Sequence, residues 1–323
     1  MLKISDVELL RSEVLRRAIE ENIERDPQRV ALDKHVPHAA LVATQVKYLQ
    51  RARKKLPQLY EARCIIPARA FEQSSSEESA NIKDISGGRL LDLTCGLGID
   101  VMHFAERFES VVALERDEVL AKIVRHNFAL LGIDNVEVIN TTAEEYLAST
   151  TEHFDWVFAA PDRRSTEGKK MVRMEDCSPD VIALMPRLLK IASRVGLKLS
   201  PLFDVDEAFR LFHSSEVEVV SIGGECKELN IYTGAERDIL RCVVSCVGSW
   251  SFEPSDMHAT PTVEPLDMER ANYLIIPDVA LQKGRVAIAA FKPFAQIWSN
   301  NGYAFDLEVV PFESIIAGMA AGK

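Results

Sequence analysis

The apolar positions divide the chain into a helical first part and a second part in which strands and helices alternate. Between residues 5 and 60, apolar side chains recur at helical spacing, as from Leu9 to Ile19, and Asp26-Pro27 breaks the pattern. From residue 88, short apolar runs alternate with helical periodicity. The predicted strands are Arg89–Leu93, Ser110–Leu114, Val136–Ile139, Trp156–Ala159 and Val195–Leu199, and the helices between them are Val101–Phe108, Glu118–Leu131, Ala143–Ala148 and Pro179–Ile191. This alternation predicts an α/β fold with a doubly wound, mostly parallel sheet.

The pattern changes again towards the C-terminus. Three further apolar runs, Glu216–Ile222, Lys227–Tyr232 and Leu240–Cys246, are joined by turns too short for parallel crossovers, so we expect antiparallel strands there. Prolines after Ser251 predict a linker, followed by a small α+β tail over 266–323. We therefore predict three domains, a helical one over 1–70, an α/β one over 71–253 and a small one over 254–323. The end of the last domain lacks a stop signal, and we expect it to be truncated.

Composition narrows the class of protein. Hydrophobic residues make up 47% of the 323 residues, but no apolar run approaches the roughly 20 needed to span a bilayer. The charged, helical N-terminus is no secretory signal, so we expect a cytoplasmic protein. The net charge of −11 argues against broad nucleic-acid binding, although residues 1–70 carry 14 Lys and Arg against 9 Asp and Glu.

A local basic helix is predicted over Val42–Leu56. Its polar side chains include Tyr48, Arg51, Arg53, Lys54 and Lys55. Such a run either faces a nucleic acid or forms an ordinary solvated helix face, and the pattern leaves both interpretations open.

The candidate chemistry is centred on the stretch 88–100, an apolar strand that ends at Asp92 and runs into the turn Gly96-Leu-Gly98. Glycines at such a turn let the backbone approach a ligand closely. The chain lacks the Gly-Lys-[Ser/Thr] of a P-loop, and Val101 replaces the third glycine of a dinucleotide fingerprint. The carboxylate of Asp92 would repel a pyrophosphate, whereas it suits a cationic cofactor such as S-adenosylmethionine.

Polar residues follow the neighbouring predicted strands at the same edge. Glu115, after the second strand, is placed to accept hydrogen bonds from both ribose hydroxyls, and Thr142–Ala143, after the third, is placed beside the adenine. The serines of segment 71–83 predict a capped helix start with free N–H groups. With Asp92, Gly96 and Gly98, our further cofactor-binding candidates are Gln73, Ser75, Thr94, Asp100, Arg116 and Ala160.

These stretches resemble the class I S-adenosylmethionine-dependent methyltransferases, in which Asp-Leu-Thr-Cys-Gly-Leu-Gly is similar to the first motif and Glu115 to the second. The resemblance implies a Rossmann-like, seven-stranded sheet and S-adenosylmethionine as cofactor. Lys55-Leu-Pro57, Lys198-Leu-Ser-Pro201 and Gly224-Glu-Cys-Lys-Glu228 also resemble bacterial methyltransferases with a THUMP-like domain. That resemblance implies a ferredoxin-like C-terminal piece and favours structured RNA as the substrate.

The fourth predicted strand ends at Ala160-Pro-Asp-Arg-Arg164, where class I enzymes carry substrate-contacting residues. Our catalytic candidates are Asp162, which would accept a hydrogen bond or a proton from a target amine, and Arg163 and Arg164, which would hold a phosphate. The family carries Asp where this chain has Ala160. Three interpretations therefore stay open: Asp162 substitutes, the enzyme works by alignment alone, or it binds cofactor without catalysis.

Other chemistries have weaker support. Cys95 and Cys177 are candidates for a covalent nucleophile, but Cys95 lies in the cofactor turn and is better explained by packing. The seven histidines are dispersed and the six cysteines form no CxxC pair, so we predict no metal. Lys198 contacts a phosphate, neutralises Asp162 or is a solvated strand end, and the pattern leaves the three interpretations open. The sequence thus predicts a methyltransferase acting on RNA, with a vestigial binding protein or a small-molecule methyltransferase as alternatives.

Overall fold

A computed structural model describes residues 2–163, 174, 177–259, 273–291, 297–298 and 304–306. The chain forms two compact units, one from Met1–Ala159 with Pro179–Ser193 and the other from Ala160–Ser178 with Arg194–Lys323. The three-domain division with boundaries at 70 and 253 stays a prediction. Of the candidate site residues, Arg164 lies outside the described residues.

The first unit begins with the helical part that the periodicity predicts. Its helices are α1 (Ile4–Arg11), α2 (Glu13–Asn22), α3 (Pro27–Leu32), α4 (Ala39–Lys55), α5 (Pro57–Glu61), α6 (Ala68–Gln73) and α7 (Glu77–Ile82). Asp26 caps α3, because its Oδ1 accepts the N–H groups of Gln28 and Arg29 at 2.7 and 3.2 Å. Pro27 and Pro57 each occupy the first turn of a helix, where the N–H that proline lacks would have no partner within the helix.

One buried side chain ties these helices to the rest of the first unit. Asn127, which is 1% exposed, accepts the Ile65 N–H and donates to the Ile65 carbonyl oxygen, both at 2.9 Å. Both polar groups of a buried backbone residue are thereby satisfied by one side chain that is 62 residues away in sequence.

Four parallel strands form the sheet of the first unit, in the order β3-β2-β1-β4. They are β1 (Gly87–Asp92), β2 (Phe108–Leu114), β3 (Val136–Ile139) and β4 (Phe154–Ala159), and the helices that follow are α8 (Ile99–Ala105), α9 (Glu118–Leu131), α10 (Ala143–Ser149) and α11 (Val181–Ile191). All four predicted strands are confirmed. Helix α8 ends three residues earlier than predicted, because Phe108 already belongs to β2. The parallel register brings the carboxyl ends of the strands to one edge.

The largest sheet portion of the second unit has five strands, in the order β7-β9-β8-β10-β11. It contains the short antiparallel pair β5 (Asp162–Arg163) and β6 (Cys177–Ser178), then β7 (Ala192–Leu199), α12 (Val205–Leu211), β8 (Ser215–Ile222), β9 (Glu225–Thr233), β10 (Ile239–Val244) and β11 (Gly248–Phe252). Strand β9 is antiparallel to both neighbours, as the short turns predict, but β10 runs parallel to β8. The predicted count of seven strands is not confirmed, because the four strands of the first unit and these five make nine among the described residues.

The described part of the C-terminal region contains β12 (Tyr273–Ile275), α13 (Val279–Lys283), α14 (Ala287–Phe291), β13 (Ile297–Trp298) and β14 (Ala304–Asp306). Helix α13 packs against β8, β9 and β10, and the Cys242 Sγ donates to the Ala280 carbonyl oxygen at 3.4 Å. The strand predicted over Leu240–Cys246 ends earlier, at Val244, and Cys246 beyond it has a φ of +63°.

Candidate functional site

The two glycines of the central turn have different structural roles. Gly98, with a φ of +82°, begins α8, and a Cβ there would lie 2.7 Å from Cζ of Phe128 on α9. Gly96 has a φ of +57°, and the nearest atom to an added Cβ is the Thr94 carbonyl oxygen at 3.9 Å. Gly98 is therefore required for packing. Gly96 faces open space, where a side chain would fill the cradle that a ligand needs.

Hydrogen bonds hold the turn between Asp92 and Gly98 in place. Asp92 is 2% exposed, and its Oδ1 accepts the Thr94 N–H at 2.6 Å. The Leu93 N–H donates to the Phe158 carbonyl on β4, and the Cys95 N–H to the Leu114 carbonyl on β2, both at 2.9 Å. The turn is thus bound to both strands that flank β1, and its shape is set before any ligand arrives.

Glu115 lies directly after β2 and joins that strand end to the turn. Its Oε2 accepts the Gly96 N–H at 2.9 Å and its Oε1 accepts the Asp117 N–H at 2.8 Å. Burial raises the pKa of Glu115, and these two hydrogen bonds oppose the rise. Each carboxylate oxygen has a second lone pair, so both stay able to accept a hydroxyl donor such as a ribose diol presents.

The end of β3 is organised by a helix cap. Thr142 begins α10, its Oγ1 accepts the Glu145 N–H at 3.2 Å, and Glu145 accepts the Thr142 N–H at 3.3 Å. These bonds hold the pKa of Glu145 below its usual range. Ala143 is 4% exposed. Asn140, which sequence reasoning missed, donates to the carbonyl oxygens of Glu115 and Arg116 at 2.9 and 3.2 Å and so joins the ends of β2 and β3.

The serine-rich segment meets the first turn of α8. Ser76 caps α7 by accepting the Ser79 N–H at 3.1 Å, which confirms the predicted serine cap. Ser75 donates to Oδ2 of Asp100 at 3.4 Å, and Lys83 lies 3.0 Å from Oδ1 of the same carboxylate. Gln73 ends α6 and is exposed. Sequence reasoning did not single out Lys83 as a functional residue, because a lysine after a short helix is normally solvated.

The candidates beyond β4 belong to the second unit. Ala160 follows β4 directly, Asp162 is exposed, and the backbone of Asp162–Arg163 pairs with Cys177–Ser178. Lys198 lies in β7 opposite Asn230 of β9. Their roles in the reaction stay predictions.

The surroundings of Cys95 and Cys177 bear on the hypothesis that one of these thiols is a covalent nucleophile. Burial raises the pKa of the Cys95 thiol well above its usual range, and the carboxylates of Asp92, Glu115 and Asp100 add to the rise, so Cys95 is a packed thiol. Cys177 is 3% exposed.

Most of the basic side chains at the end of α4 form hydrogen bonds or ion pairs with other residues of the first unit. Arg51 pairs with Glu72, and Arg53 pairs with Glu24 and donates to the Tyr60 hydroxyl at 2.6 Å. Lys55 donates to the Phe71 carbonyl at 2.7 Å. These contacts favour the solvated-face interpretation of this helix over a nucleic-acid surface.

Among the described residues, no group of three or more His, Cys, Asp or Glu side chains is arranged to hold a metal ion. Within the same part of the chain, no helix has the length and apolarity to cross a bilayer.

Part of this chain is similar to known methyltransferases. The methyltransferase domain family matches residues 90–188. An uncharacterized S-adenosylmethionine-dependent methyltransferase of Mycobacterium tuberculosis is 25% identical over 166 residues, which are 51% of this chain and 44% of that protein. The chain therefore spans less than half the length of this relative. A tRNA/tmRNA (uracil-C(5))-methyltransferase of Photorhabdus laumondii is 39% identical over 70 residues, or 22% of this chain and 19% of that enzyme.

The fold has a solved counterpart. The crystal structure of a protein from Porphyromonas gingivalis W83, named as a methyltransferase, superimposes with a TM-score of 0.78 at 23% identity and covers 100% of this chain and 87% of its own. At that identity the likeness concerns the fold. Three findings favour S-adenosylmethionine as the cofactor: the turn at Gly96, the acidic residues around it and the match over residues 90–188. Over residues 90–188 the chain carries a methyltransferase domain, and it is similar to S-adenosylmethionine-dependent methyltransferases.

Proposed function

We propose that the protein transfers a methyl group from S-adenosylmethionine to RNA, at a base or an exocyclic amine. The observation that carries the cofactor half is the preformed turn at Gly96, which leaves room for a ligand beside the buried carboxylate of Asp92. The residues present fit a cofactor with an ammonium group, a sulfonium and a ribose diol, because Asp92 and Glu115 supply acceptors and negative charge. The cofactor when bound supplies the methyl group.

The RNA half is supported by the 39% identity to a tRNA/tmRNA methyltransferase and by the resemblance to the THUMP-like family. The carbon-5 chemistry in that relative's name is not carried over here. Methylation at carbon 5 of a pyrimidine needs a thiolate that first adds to carbon 6 and so makes carbon 5 nucleophilic towards the methyl group. Burial raises the pKa of Cys95 and keeps its sulfur protonated, and Cys177 is buried. An amine, or a base atom with its own lone pair, is the target that needs no cysteine.

In this proposal the side chains at the substrate end position the target. Methyl transfer from a sulfonium is an in-line displacement, so alignment contributes more than acid–base help. Asp162 accepts a hydrogen bond from the target amine, and Arg163 and Arg164 hold a backbone phosphate. A specific observation favours a second candidate, a cofactor-binding protein without transferase activity. Ala160 stands where the resembled family carries aspartate.

The deciding experiment is transfer of tritiated methyl groups into total RNA from a strain that lacks the gene. We expect label in RNA with the wild-type protein and none with Asp92→Ala. Calorimetry with S-adenosylmethionine should show binding to the wild type and its loss in Asp92→Ala. The matched control is Asp134→Ala, an exposed aspartate in the loop before β3, which should bind and transfer normally.

Each negative result has its own meaning. Absence of cofactor binding at about 1 mM would refute the central proposal, since that affinity is the weak limit of specific sites. Cofactor binding without transfer to RNA or to acid-soluble metabolites would establish the vestigial candidate. Label only in the acid-soluble fraction would identify a small-molecule methyltransferase.

A further inference from the structure

Lys83 is a lysine with no exposed surface, at the end of α7. Its Nζ donates to the Ser79 carbonyl oxygen at 3.1 Å and lies 3.0 Å from Oδ1 of Asp100. Arg107 donates to the Lys83 carbonyl and to the Asn81 side chain, so the backbone that carries the lysine is fixed as well. Burying an ammonium is expensive unless a carboxylate faces it, so this pair is a defined feature of the interior.

The Lys83–Asp100 pair adjoins the cofactor turn. Asp100 lies in the first turn of α8, two residues after Gly98. The carboxylates of Asp92, Asp100 and Glu115 together raise the pKa of the Cys95 thiol inside the turn, which places all three within electrostatic reach of it. Among the described residues of the first unit, the buried ammonium of Lys83 offsets part of the negative charge of these three carboxylates. Arg116, beside Glu115, is exposed, so solvent and salt screen its charge.

The two forms of the cofactor differ in charge at one atom. S-adenosylmethionine carries a sulfonium, an ammonium and a carboxylate, whereas the product S-adenosylhomocysteine has a neutral thioether in place of the sulfonium. A more negative pocket favours the cationic form and leaves the affinity for the neutral thioether nearly unchanged. The net charge of the pocket therefore sets how strongly the product competes with the cofactor.

We propose that Lys83 is a specificity-determining residue whose buried ammonium offsets one carboxylate of the cofactor pocket and thereby limits the preference for S-adenosylmethionine over S-adenosylhomocysteine. The inference rests on the proposed function only in placing the cofactor at the Gly96 turn. Lys83 acts through charge and through Asp100, so it tunes affinity without touching the reacting atoms.

The test measures the ratio of dissociation constants for S-adenosylhomocysteine and for sinefungin, a cofactor analogue in which an ammonium replaces the sulfonium. Calorimetry at about pH 8 keeps the carboxylates ionised. In Lys83→Met the ratio should rise on the order of tenfold in favour of sinefungin, the scale of one charge acting over roughly 10 Å at intermediate dielectric. Asp100→Asn should shift the ratio in the opposite direction, and the double variant K83M/D100N should return it close to the wild-type value.

The control variant Lys54→Met removes an exposed lysine of α4 and should leave the ratio unchanged. A purely structural role for Lys83 would weaken both ligands equally in every variant, and an unmoved ratio overturns the proposal. If Lys83→Met does not fold, the ratios of dissociation constants measured for Asp100→Asn and for the charge-neutral double variant still test the proposal. Binding of neither ligand to the wild type would instead refute the cofactor pocket, so the two failures are distinguishable.

Discussion

Replacing Gly98 by alanine adds a methyl group where the structure has no room for one. The new Cβ would lie 2.7 and 3.0 Å from Cζ and Cε1 of Phe128 and 3.2 Å from Cγ1 of Val124. Overpacking of this kind destabilises by about 1–3 kcal/mol. The left-handed backbone, with a φ of +82°, adds about 1–2 kcal/mol for any residue with a Cβ. We expect Gly98→Ala to lower the free energy of unfolding by roughly 2–5 kcal/mol.

Gly96→Ala is the matched comparison. Its φ of +57° carries the same backbone penalty of about 1–2 kcal/mol, but the nearest atom to its Cβ beyond the adjacent residues is the Thr94 carbonyl oxygen at 3.9 Å. We therefore expect a smaller loss of stability than in Gly98→Ala and a larger loss of cofactor affinity, because the methyl occupies the space that the ligand approaches. Urea unfolding gives the first quantity and calorimetry with S-adenosylhomocysteine gives the second.

A second-site change isolates the steric part of the Gly98 effect. Phe128→Leu shortens the side chain that the new methyl would strike, so it should cost less stability in the Gly98→Ala background than in the wild type, with a coupling of about 1 kcal/mol. Equal stabilities of Gly96→Ala and Gly98→Ala, together with strict additivity of Gly98→Ala and Phe128→Leu, would refute the assignment of Gly98 to packing.

Two further outcomes are expected. Burial raises the pKa of Glu218 in β8 to about 7, so the folded state retains a proton that the unfolded chain releases near pH 4.3; stability should fall by roughly 3 kcal/mol as pH rises through this window. Urea unfolding between pH 4 and 8 should show a flatter profile for Glu218→Gln, and parallel profiles would contradict the buried-carboxyl argument. Cys95→Ala should keep methyl transfer to RNA in the tritium assay, because the buried thiol packs and does not attack; complete loss of transfer in a folded variant would restore the covalent mechanism.

The strands of the first unit and the residues that follow them were predictable because the signals are local. A buried parallel strand is a continuous apolar run, and its carboxyl end meets those of its neighbours, so Asp92, Gly96 and Glu115 could be placed together from spacing alone. The same reasoning correctly left Cys95 as a packing residue. Local pattern and tertiary structure agree at this edge of the sheet.

The misses share the opposite property. The pairing of Lys83 with Asp100 joins separate elements, and no periodicity announces it. The parallel pairing of β10 with β8 depends on which edge of the sheet is open, and the turn length does not encode that.

The two hydrogen bonds between Asn127 and Ile65 constrain the order in which parts of the chain fold during synthesis. The helices up to Ile65 emerge first, but the side chain that satisfies the Ile65 backbone belongs to α9, 62 residues later. Until α9 has been synthesised, a buried donor and acceptor at the end of the helical segment lack their partner, and that segment cannot complete its burial. The helical segment is translated first and docks later, when the methyltransferase domain supplies the asparagine that closes it.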